Sequence, residues 1–316
     1  MLRNLRRFAV FGACLAPLLA AAQDDAAKAA NAAAARLNAA ARAANAAARA
    51  GKPAPQADAL SAPGASTDAV AGAGAAPLAH GCKGVIYLSF DTGSQSQAEL
   101  IANVLNRHHI RATFFLANEK TVRGDYALDP AWAGFWRARV AEGHAIGSHT
   151  FDHVYLVKDG PGDTIRVRPQ FGAQAGKVLD WTPARYCEEL KRVDARFVEL
   201  TGKHLDPIWR APGGRVSERA LAAAQACGYA HVGWPKSGYS GDELPSGAWP
   251  NALLLQTSLR ELKDGDIFFA HMGIWSRKDP WAPADLEPLI QGLEQKDFCF
   301  ATLREHPAYA HAFRRR

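Results

Sequence analysis

The sequence is organised around the stretch GHAIGSHTFDH, residues 143–153. Its first part, ending in Gly147 and Ser148, predicts a short buried strand. The strand delivers His149 and His153, which are four positions apart. On one turn of helix, residues at this spacing share a face, so both imidazoles are expected to reach one metal ion.

Six other β-rich segments alternate with helical segments on either side of this strand. The predicted strands are 84–90, 110–116, 144–148, 204–210, 229–234, 266–270 and 298–302, and the predicted helices are 94–107, 131–142, 184–201, 217–227, 251–262 and 283–295. Such alternation predicts a parallel sheet. The pattern is too regular for two domains, and a closed or nearly closed β/α barrel is the expected packing. Residues 154–182 contain several glycines and are expected to form a long irregular segment.

The amino-terminal part of the chain predicts export followed by a spacer. Residues 1–22 have the charged start, the short apolar run and the small residues before Gln23 that are typical of a signal peptide. A lipoprotein signal that uses Cys14 and an uncleaved leader are the two alternatives. Residues 23–80 predict an Ala-rich, helix-prone spacer that becomes a flexible linker. A wall-binding or partner-binding helix is the alternative for the Ala-rich part, and residues 81–316 are expected to form the catalytic domain.

The positive charge of the chain comes from its two ends. The net charge is +6, and arginines of the leader and of residues 314–316 contribute all of this excess. The folded part is therefore close to neutral, which excludes a dedicated nucleic-acid-binding face. The apolar run of the leader is too short for a comfortable membrane span, so no stable span is expected after leader cleavage. The sequence makes no prediction of oligomeric state.

Export to an oxidising periplasmic or extracellular space makes the cysteines informative. The four cysteines outside the leader allow three pairings. We favour Cys82–Cys299, because a closed barrel brings the first and last strands together, and Cys187–Cys227, which lie on successive helices. The alternative for each pair is that the cysteines are small buried apolar residues.

Residues with chemical function follow several of the predicted strands. In parallel β/α folds, working residues lie at the carboxyl ends of strands. The side chains found there are Asp91, His149 with His153, Arg210, Trp234 and His271. Each alone has an ordinary structural explanation, such as core packing or an ion pair, but their coincidence predicts a site. The set suits metal-assisted hydrolysis, with histidine ligands, a carboxylate base oriented and kept ionised by arginine, and an imidazolium acid.

Four motifs resemble those of the NodB-type polysaccharide deacetylases, carbohydrate esterase family 4. SFDTG (89–93) corresponds to the family's TFDDG, HTFDH (149–153) to H-[ST]-x-x-H, RAPGG (210–214) to R-x-P-[YG]-G, and DIFFAH (266–271) to the motif that ends in histidine. The resemblance covers about residues 84–303. It implies a distorted (β/α)7 barrel, a divalent metal that is commonly zinc, and removal of N-acetyl or, less often, O-acetyl groups from sugars.

The resemblance also implies roles for individual residues. By position, Asp91 is the base, His149 and His153 are metal ligands, Arg210 orients the base, and His271 is the general acid. The expected substrate contacts are Trp234, Pro212, Gly213 and Trp275. Trp281 either stacks on sugar in the same way or packs against a neighbouring helix.

One position departs from the family's pattern. Its third metal ligand, the second aspartate of the first motif, is Thr92 here, and a neutral hydroxyl is a much poorer ligand than a carboxylate. The carboxylates that could replace it are Asp152, Asp242, Glu243 and Asp91 itself. Asp242 is also a candidate partner for the arginine or the last histidine of the site.

Three hypotheses follow from these observations. The first is a secreted or periplasmic metal-dependent deacetylase of an aminosugar polymer of the envelope or extracellular matrix. The second is a protein that binds glycans on the same scaffold without hydrolysing them. The third is a hydrolase of another C–N or ester bond.

Overall fold

Strands and helices alternate along residues 81–314, the part of the chain that the computed structural model describes. The predicted signal peptide, spacer and linker lie outside the described residues. The strands are β1 (Gly84–Asp91), β2 (Thr113–Leu116), β3 (Ala145–Ser148), β4 (Val154–Asp159), β5 (Ile165–Pro169), β6 (Leu179–Trp181), β7 (Ile208–Trp209), β8 (Ala230–His231), β9 (Ile267–His271) and β10 (Phe298–Phe300). The α-helices are α1 (Ala98–Arg107), α2 (Ala133–Ala141), α3 (Pro183–Thr201), α4 (Glu218–Ala226), α5 (Asn251–Glu261), α6 (Glu287–Glu294) and α7 (Ala310–Phe313), and a π-helical turn (Ala282–Leu286) leads into α6.

Seven strands form one parallel sheet, as the sequence predicts. Their order is β10-β1-β2-β3-β7-β8, with β9 also paired to β1. Beyond β8 the chain returns to β9, where Tyr239 pairs with Phe269. The sheet therefore curls into a distorted (β/α) barrel, and the strands that carry the predicted site residues end at the same rim.

The inner and outer faces of β1 belong to different hydrophobic cores. Ile86, Leu88 and Phe90 pack outward against the helices. Val85 and Tyr87 pack inward, into the barrel. Because side chains alternate along a strand, the next inward positions after residue 87 are 89 and 91, at the carboxyl end. The inward-facing residues of β1 are therefore apolar inside the barrel, at positions 85 and 87, and polar at the rim, at positions 89 and 91.

Two of the predicted strands are much shorter than expected. The prediction for 204–210 reduces to β7, and that for 229–234 reduces to β8. Isolated backbone hydrogen bonds continue on both sides of these short strands, from the N–H of Asp206 to the carbonyl oxygen of Ile146 and from the N–H of Val232 to that of Trp209. Pro207 has no N–H to donate, so the regular ladder is interrupted just ahead of β7. The arginine at position 210 lies just beyond β7 and remains attached to the sheet, because its N–H donates to the carbonyl oxygen of Ser148 at 2.9 Å.

The prediction of an irregular segment over 154–182 is wrong. Here β4, β5 and β6 form a separate three-stranded antiparallel sheet. Val154 and Leu156 of β4 are buried while the residues that follow each are half-buried. This period-two alternation is the sequence signal for the sheet, and the glycines lie in its connections, as at Gly162, where φ is +59°.

Both predicted disulfides are present. The Cα atoms of Cys82 and Cys299 are 5.8 Å apart, and those of Cys187 and Cys227 are 6.0 Å apart. The first pair joins the residue ahead of β1 to β10, which is paired with β1. Within residues 81–314, no helix combines the length and the apolar character that crossing a membrane requires.

Candidate active site at the carboxyl ends of the strands

The two histidines of the opening stretch share a tight turn, and the helical turn predicted for them is absent. Thr150 and His153 both have left-handed backbone, with φ of +63° and +47°. Because β4 begins at Val154, directly after the turn, no residues remain for a helix. The turn is closed by the N–H of Val154, which donates to the Thr150 hydroxyl at 2.7 Å. It still brings the imidazole rings of His149 and His153 to a centroid distance of 5.0 Å.

His149 is buried and presents one free ring nitrogen. Its Nδ1 lies 2.9 Å from the carbonyl oxygen of Arg210. A carbonyl oxygen can only accept, so Nδ1 carries the proton and Nε2 keeps its lone pair. Burial, followed by the charge of nearby His153, lowers the pKa of His149 well below its ordinary value. The side chain is therefore a neutral imidazole with Nε2 available as a ligand.

Asp91 occupies the last inward position of β1 and is fixed by Arg210. Arg210 Nη1 donates to Asp91 Oδ1 at 2.8 Å, and Nη2 donates to the Ser89 hydroxyl at 2.8 Å. The other carboxylate oxygen, Oδ2, lies 3.4 Å from Nε2 of His149. The predicted orienting contact is thus present.

The electrostatic effect on Asp91 differs from the expectation that the arginine sets its ionisation. Burial is the largest influence and raises the pKa of Asp91, while the charge of Arg210 opposes the rise without cancelling it. The guanidinium is itself fully buried and lies 4.2 Å from the ring centroid of Phe115. A desolvated carboxylate with a raised pKa is a stronger base than an exposed aspartate.

His271, the last residue of β9, is paired with Asp242. The Asp242 carboxylate lies 3.1 and 3.2 Å from His271 Nδ1 and accepts the backbone N–H of His271 at 2.7 Å. Burial by itself lowers the pKa of His271, but the Asp242 charge and hydrogen bond, together with Asp91, raise it to about 9. His271 is therefore protonated at neutral pH. Of the two partners that the sequence allowed for Asp242, the structure selects the histidine.

Thr92 is buried and bonded to a carboxylate that the sequence survey missed. Its hydroxyl oxygen accepts the N–H of Ala117 at 3.0 Å and donates to Glu119 Oε1 at 2.6 Å. Glu119 follows β2 by three residues and is 9% exposed. Its charge partly opposes the lowering of the pKa of His149. The sequence does place Glu119 just beyond the second strand, and this is the one interior strand for which no site residue was predicted.

The other carboxylates proposed as substitutes for the missing aspartate have partners elsewhere. Asp152 lies in the histidine turn, but its Oδ2 accepts from Arg192 Nη1 at 2.9 Å. Glu243 accepts from the Tyr239 hydroxyl at 2.9 Å. Neither carboxylate has a hydrogen bond or ion pair with a histidine among the described residues.

Aromatic rings and two glycines shape the cleft beside the histidines. Gly213 has φ of +64°, and a Cβ built there would lie 2.6 Å from Cε1 of Tyr155. Tyr155 in turn lies against His153, with ring centroids 5.2 Å apart. Trp234 stacks on Phe269 at 4.2 Å and leaves no room for a side chain at position 214. The neighbouring Pro212 is buried.

The two tryptophans that follow β9 differ in exposure. Trp275 is 61% exposed and is accessible to a ligand. Trp281 is buried and packs against Phe268, with ring centroids 5.5 Å apart. The structure therefore selects helix-side packing for Trp281 over sugar stacking.

The donor set of this rim suits a divalent cation in its chemistry. Within residues 81–314, no three His, Cys, Asp or Glu side chains already stand close enough to form a complete ligand set. Two imidazoles and a carboxylate are nevertheless the donors that zinc and similar cations prefer. His149 Nε2 carries no proton and faces Asp91 Oδ2 at 3.4 Å, and the buried Glu119 carboxyl group has no cationic side chain of the described residues as a partner.

The fold is a parallel β/α barrel whose rim holds a buried Asp–Arg pair at the ends of β1 and β7 beside a His–Asp pair at the end of β9. Residues 79–232 match the family model described as polysaccharide deacetylase. The matched region, about half of the chain, contains Asp91, both histidines of the turn and Arg210, whereas His271 lies beyond it.

Relatives and solved structures of this kind are also similar to the chain. The chain is 23% identical over 232 residues to a peptidoglycan-N-acetylglucosamine deacetylase of Bacillus cereus, covering 72% of this chain and 90% of the relative. Among solved structures, a family 4 acetyl xylan esterase from Clostridium thermocellum in complex with a cobalt ion has a TM-score of 0.54 and 18% identity, covering 72% of this chain and 91% of that one. A family 4 pseudoenzyme from Bacillus anthracis has a TM-score of 0.51 and 16% identity, covering 72% and 66%.

Proposed function

We propose that this protein is an exported, metal-dependent deacetylase of N-acetylated aminosugar polymers, such as those of the cell envelope or extracellular matrix. The observation that carries the proposal is the position of Asp91, which accepts from Arg210 at 2.8 Å and lies 3.4 Å from the free nitrogen of His149. His271 lies beside Asp91, because the two are register partners on adjacent strands. A base and an acid thus flank one position where a bond can be broken.

The residues of the chain divide the proton transfers between them. Asp91, whose pKa burial raises, accepts the proton of the attacking water. His271, protonated at neutral pH, donates a proton to the departing amine. Arg210 donates one hydrogen bond to the Asp91 carboxylate, and a second one to the Ser89 hydroxyl holds the guanidinium in place.

His149 and His153 would hold the cation, which we propose is zinc. When bound, such a cation polarises the acetyl carbonyl and lowers the pKa of a bound water from 15.7 to about 7. The exposed Trp275 and the ring of Trp234 offer apolar faces to the sugar on either side of this point. The roles of Pro212 and Gly213 are to form the wall of the cleft next to Tyr155.

Export of the chain is part of the same proposal. The two disulfides fit an oxidising periplasmic or extracellular compartment. The Bacillus cereus relative is named for a peptidoglycan substrate, which supports a glycan of that kind.

The proposal is tested by measuring acetate release from N-acetylglucosamine oligomers and from peptidoglycan. We expect dialysis against a strong chelator to abolish release, and zinc or cobalt to restore it. His149→Ala is expected to remain inactive after metal addition, whereas His204→Ala, a change at an exposed histidine paired with Asp194, serves as the control and keeps activity. Full activity of His149→Ala under stringent metal removal would contradict the proposal.

A glycan-binding protein without hydrolysis is the second candidate function. The presence of Thr92 in place of an aspartate supports it, as does the likeness of the fold to a family 4 pseudoenzyme. It predicts that chitooligosaccharides bind equally well before and after chelation and that no substrate releases acetate. Isothermal titration on the same samples used for the acetate assay distinguishes the two functions.

A further inference from the structure

Glu119 is a buried residue whose carboxyl group lacks a cationic partner among the described residues. The residue is 9% exposed, and no Lys, Arg or His of residues 81–314 lies within ion-pair distance of its carboxylate. Its hydrogen-bond partner is the Thr92 hydroxyl. A single hydrogen bond compensates only part of the cost of removing a carboxylate from water. One hydroxyl is therefore a poor substitute for a counter-charge, and the site calls for a cation.

The backbone places Glu119 between Thr92 and the histidine turn. The N–H of Asn118 donates to the carbonyl oxygen of Phe151, in the middle of that turn, at 2.7 Å. The N–H of His149 donates to the carbonyl oxygen of Leu116 at 2.7 Å. The chain that leads from β2 to Glu119 thus runs alongside the turn that carries both histidines.

Thr92 orients the glutamate from the other side. Its hydroxyl oxygen already accepts the N–H of Ala117, and its own proton is directed to Oε1 of Glu119. Thr92 itself is fully buried and cannot move far. The hydroxyl therefore holds the Glu119 carboxyl group beside the Thr92 side chain, at the end of β1.

We propose that Glu119 is the third protein ligand of the cation held by His149 and His153, and that Thr92 positions it. This inference rests on the cation of the proposed function. The carboxylate that the first strand lacks would then be supplied by the end of the second strand, which is adjacent to it in the sheet. A two-histidine, one-carboxylate set is a common ligand set for catalytic zinc.

The test is zinc affinity without substrate, measured by competition with a chromophoric chelator, together with the absorption spectrum of the cobalt-loaded protein. Glu119→Gln keeps the acceptor for the Thr92 hydroxyl and removes only the charge. We expect it to weaken zinc binding at least about tenfold and to alter the cobalt spectrum. Asp152→Asn is the matched control, because it removes a carboxylate from the histidine turn itself, and it is expected to leave zinc affinity unchanged.

A rescue variant separates loss of a ligand from loss of fold. Adding Thr92→Asp to Glu119→Gln returns a carboxylate to the first strand and is expected to restore zinc affinity. The inference is overturned if Glu119→Gln binds zinc as the parent protein does, if Asp152→Asn weakens binding instead, or if the parent protein binds neither zinc nor cobalt. If zinc binding follows the expectation but no substrate releases acetate, the proposed activity fails and the ligand assignment stands.

Discussion

The charge of Asp242 is expected to set the pH range over which His271 acts as an acid. The carboxylate lies 3.1 Å from Nδ1 of His271 and contributes to a pKa of about 9, against an ordinary value of 6.5. In Asp242→Asn the backbone N–H of His271 retains an acceptor, but the negative charge is gone. Asp242 is the largest influence that raises this pKa, so its removal moves the pKa of His271 back towards 6.5; a complete return is a fall of about 2.5, which corresponds to roughly 3 kcal/mol.

This fall translates into a specific change in rate. At pH 7.5 the protonated fraction of His271 drops from about 97% to about 9%, so kcat of Asp242→Asn should be about tenfold below that of the parent. At pH 5.5 the imidazole is mostly protonated in both proteins, and the two rates should lie within about twofold of each other.

The assay is acetate release between pH 5 and 10, combined with NMR titration of the His271 ring in the protein without substrate. Glu243→Gln is the control, since it removes a nearby carboxylate that is bonded to Tyr239 and not to His271. It should move the alkaline limb of the profile far less than the change at Asp242. The reasoning is refuted if Asp242→Asn has the same pH profile as the parent, or if the ring of His271 still titrates near 9.

Two further predictions concern stability. Arg210→Met leaves the buried Asp91 carboxylate without its partner and should lower the free energy of unfolding in urea by about 3–5 kcal/mol at pH 8. Arg107→Met removes an exposed ion pair with Glu287 and should cost no more than about 1 kcal/mol. Equal costs for the two changes would contradict the argument. Burial raises the pKa of Asp285 from 3.8 to about 7, so the unfolded chain ionises first as pH rises. Between pH 4 and 7, the free energy of unfolding of the parent should therefore fall by up to about 4 kcal/mol relative to that of Asp285→Asn, with no further fall above pH 7. A difference in unfolding free energy that does not change with pH would refute this.

Much of the barrel is predictable because its signals are local. The alternation of β-rich and helical segments gave all seven parallel strands, and strand-end residues gave Asp91, the histidine pair, Arg210 and His271. Both disulfides also followed from the order of the elements. Each of these predictions uses a hydrophobic period, a helix cap or a position at a strand end, and such features can be recognised within a few residues of sequence.

Other features depend on contacts that no short stretch contains. The antiparallel sheet of β4–β6 was missed because its glycines were given more weight than its period-two alternation. The turn at 149–153 is left-handed at Thr150 and His153 because β4 follows it at once, and i to i+4 spacing alone does not distinguish such a turn from a helix.

The opening histidine pair illustrates the division between sequence and structure. The sequence by itself determined that two imidazoles follow a strand and that Thr92 replaces a carboxylate next to Asp91. Only the tertiary structure decided that Asp242 pairs with His271 and that Glu119 accepts a hydrogen bond from Thr92. The physical reason is that the second pairing joins residues 27 positions apart through the register of two adjacent strands. Register and sheet curvature are fixed by packing of the whole barrel, and they determine which carboxylate reaches which histidine.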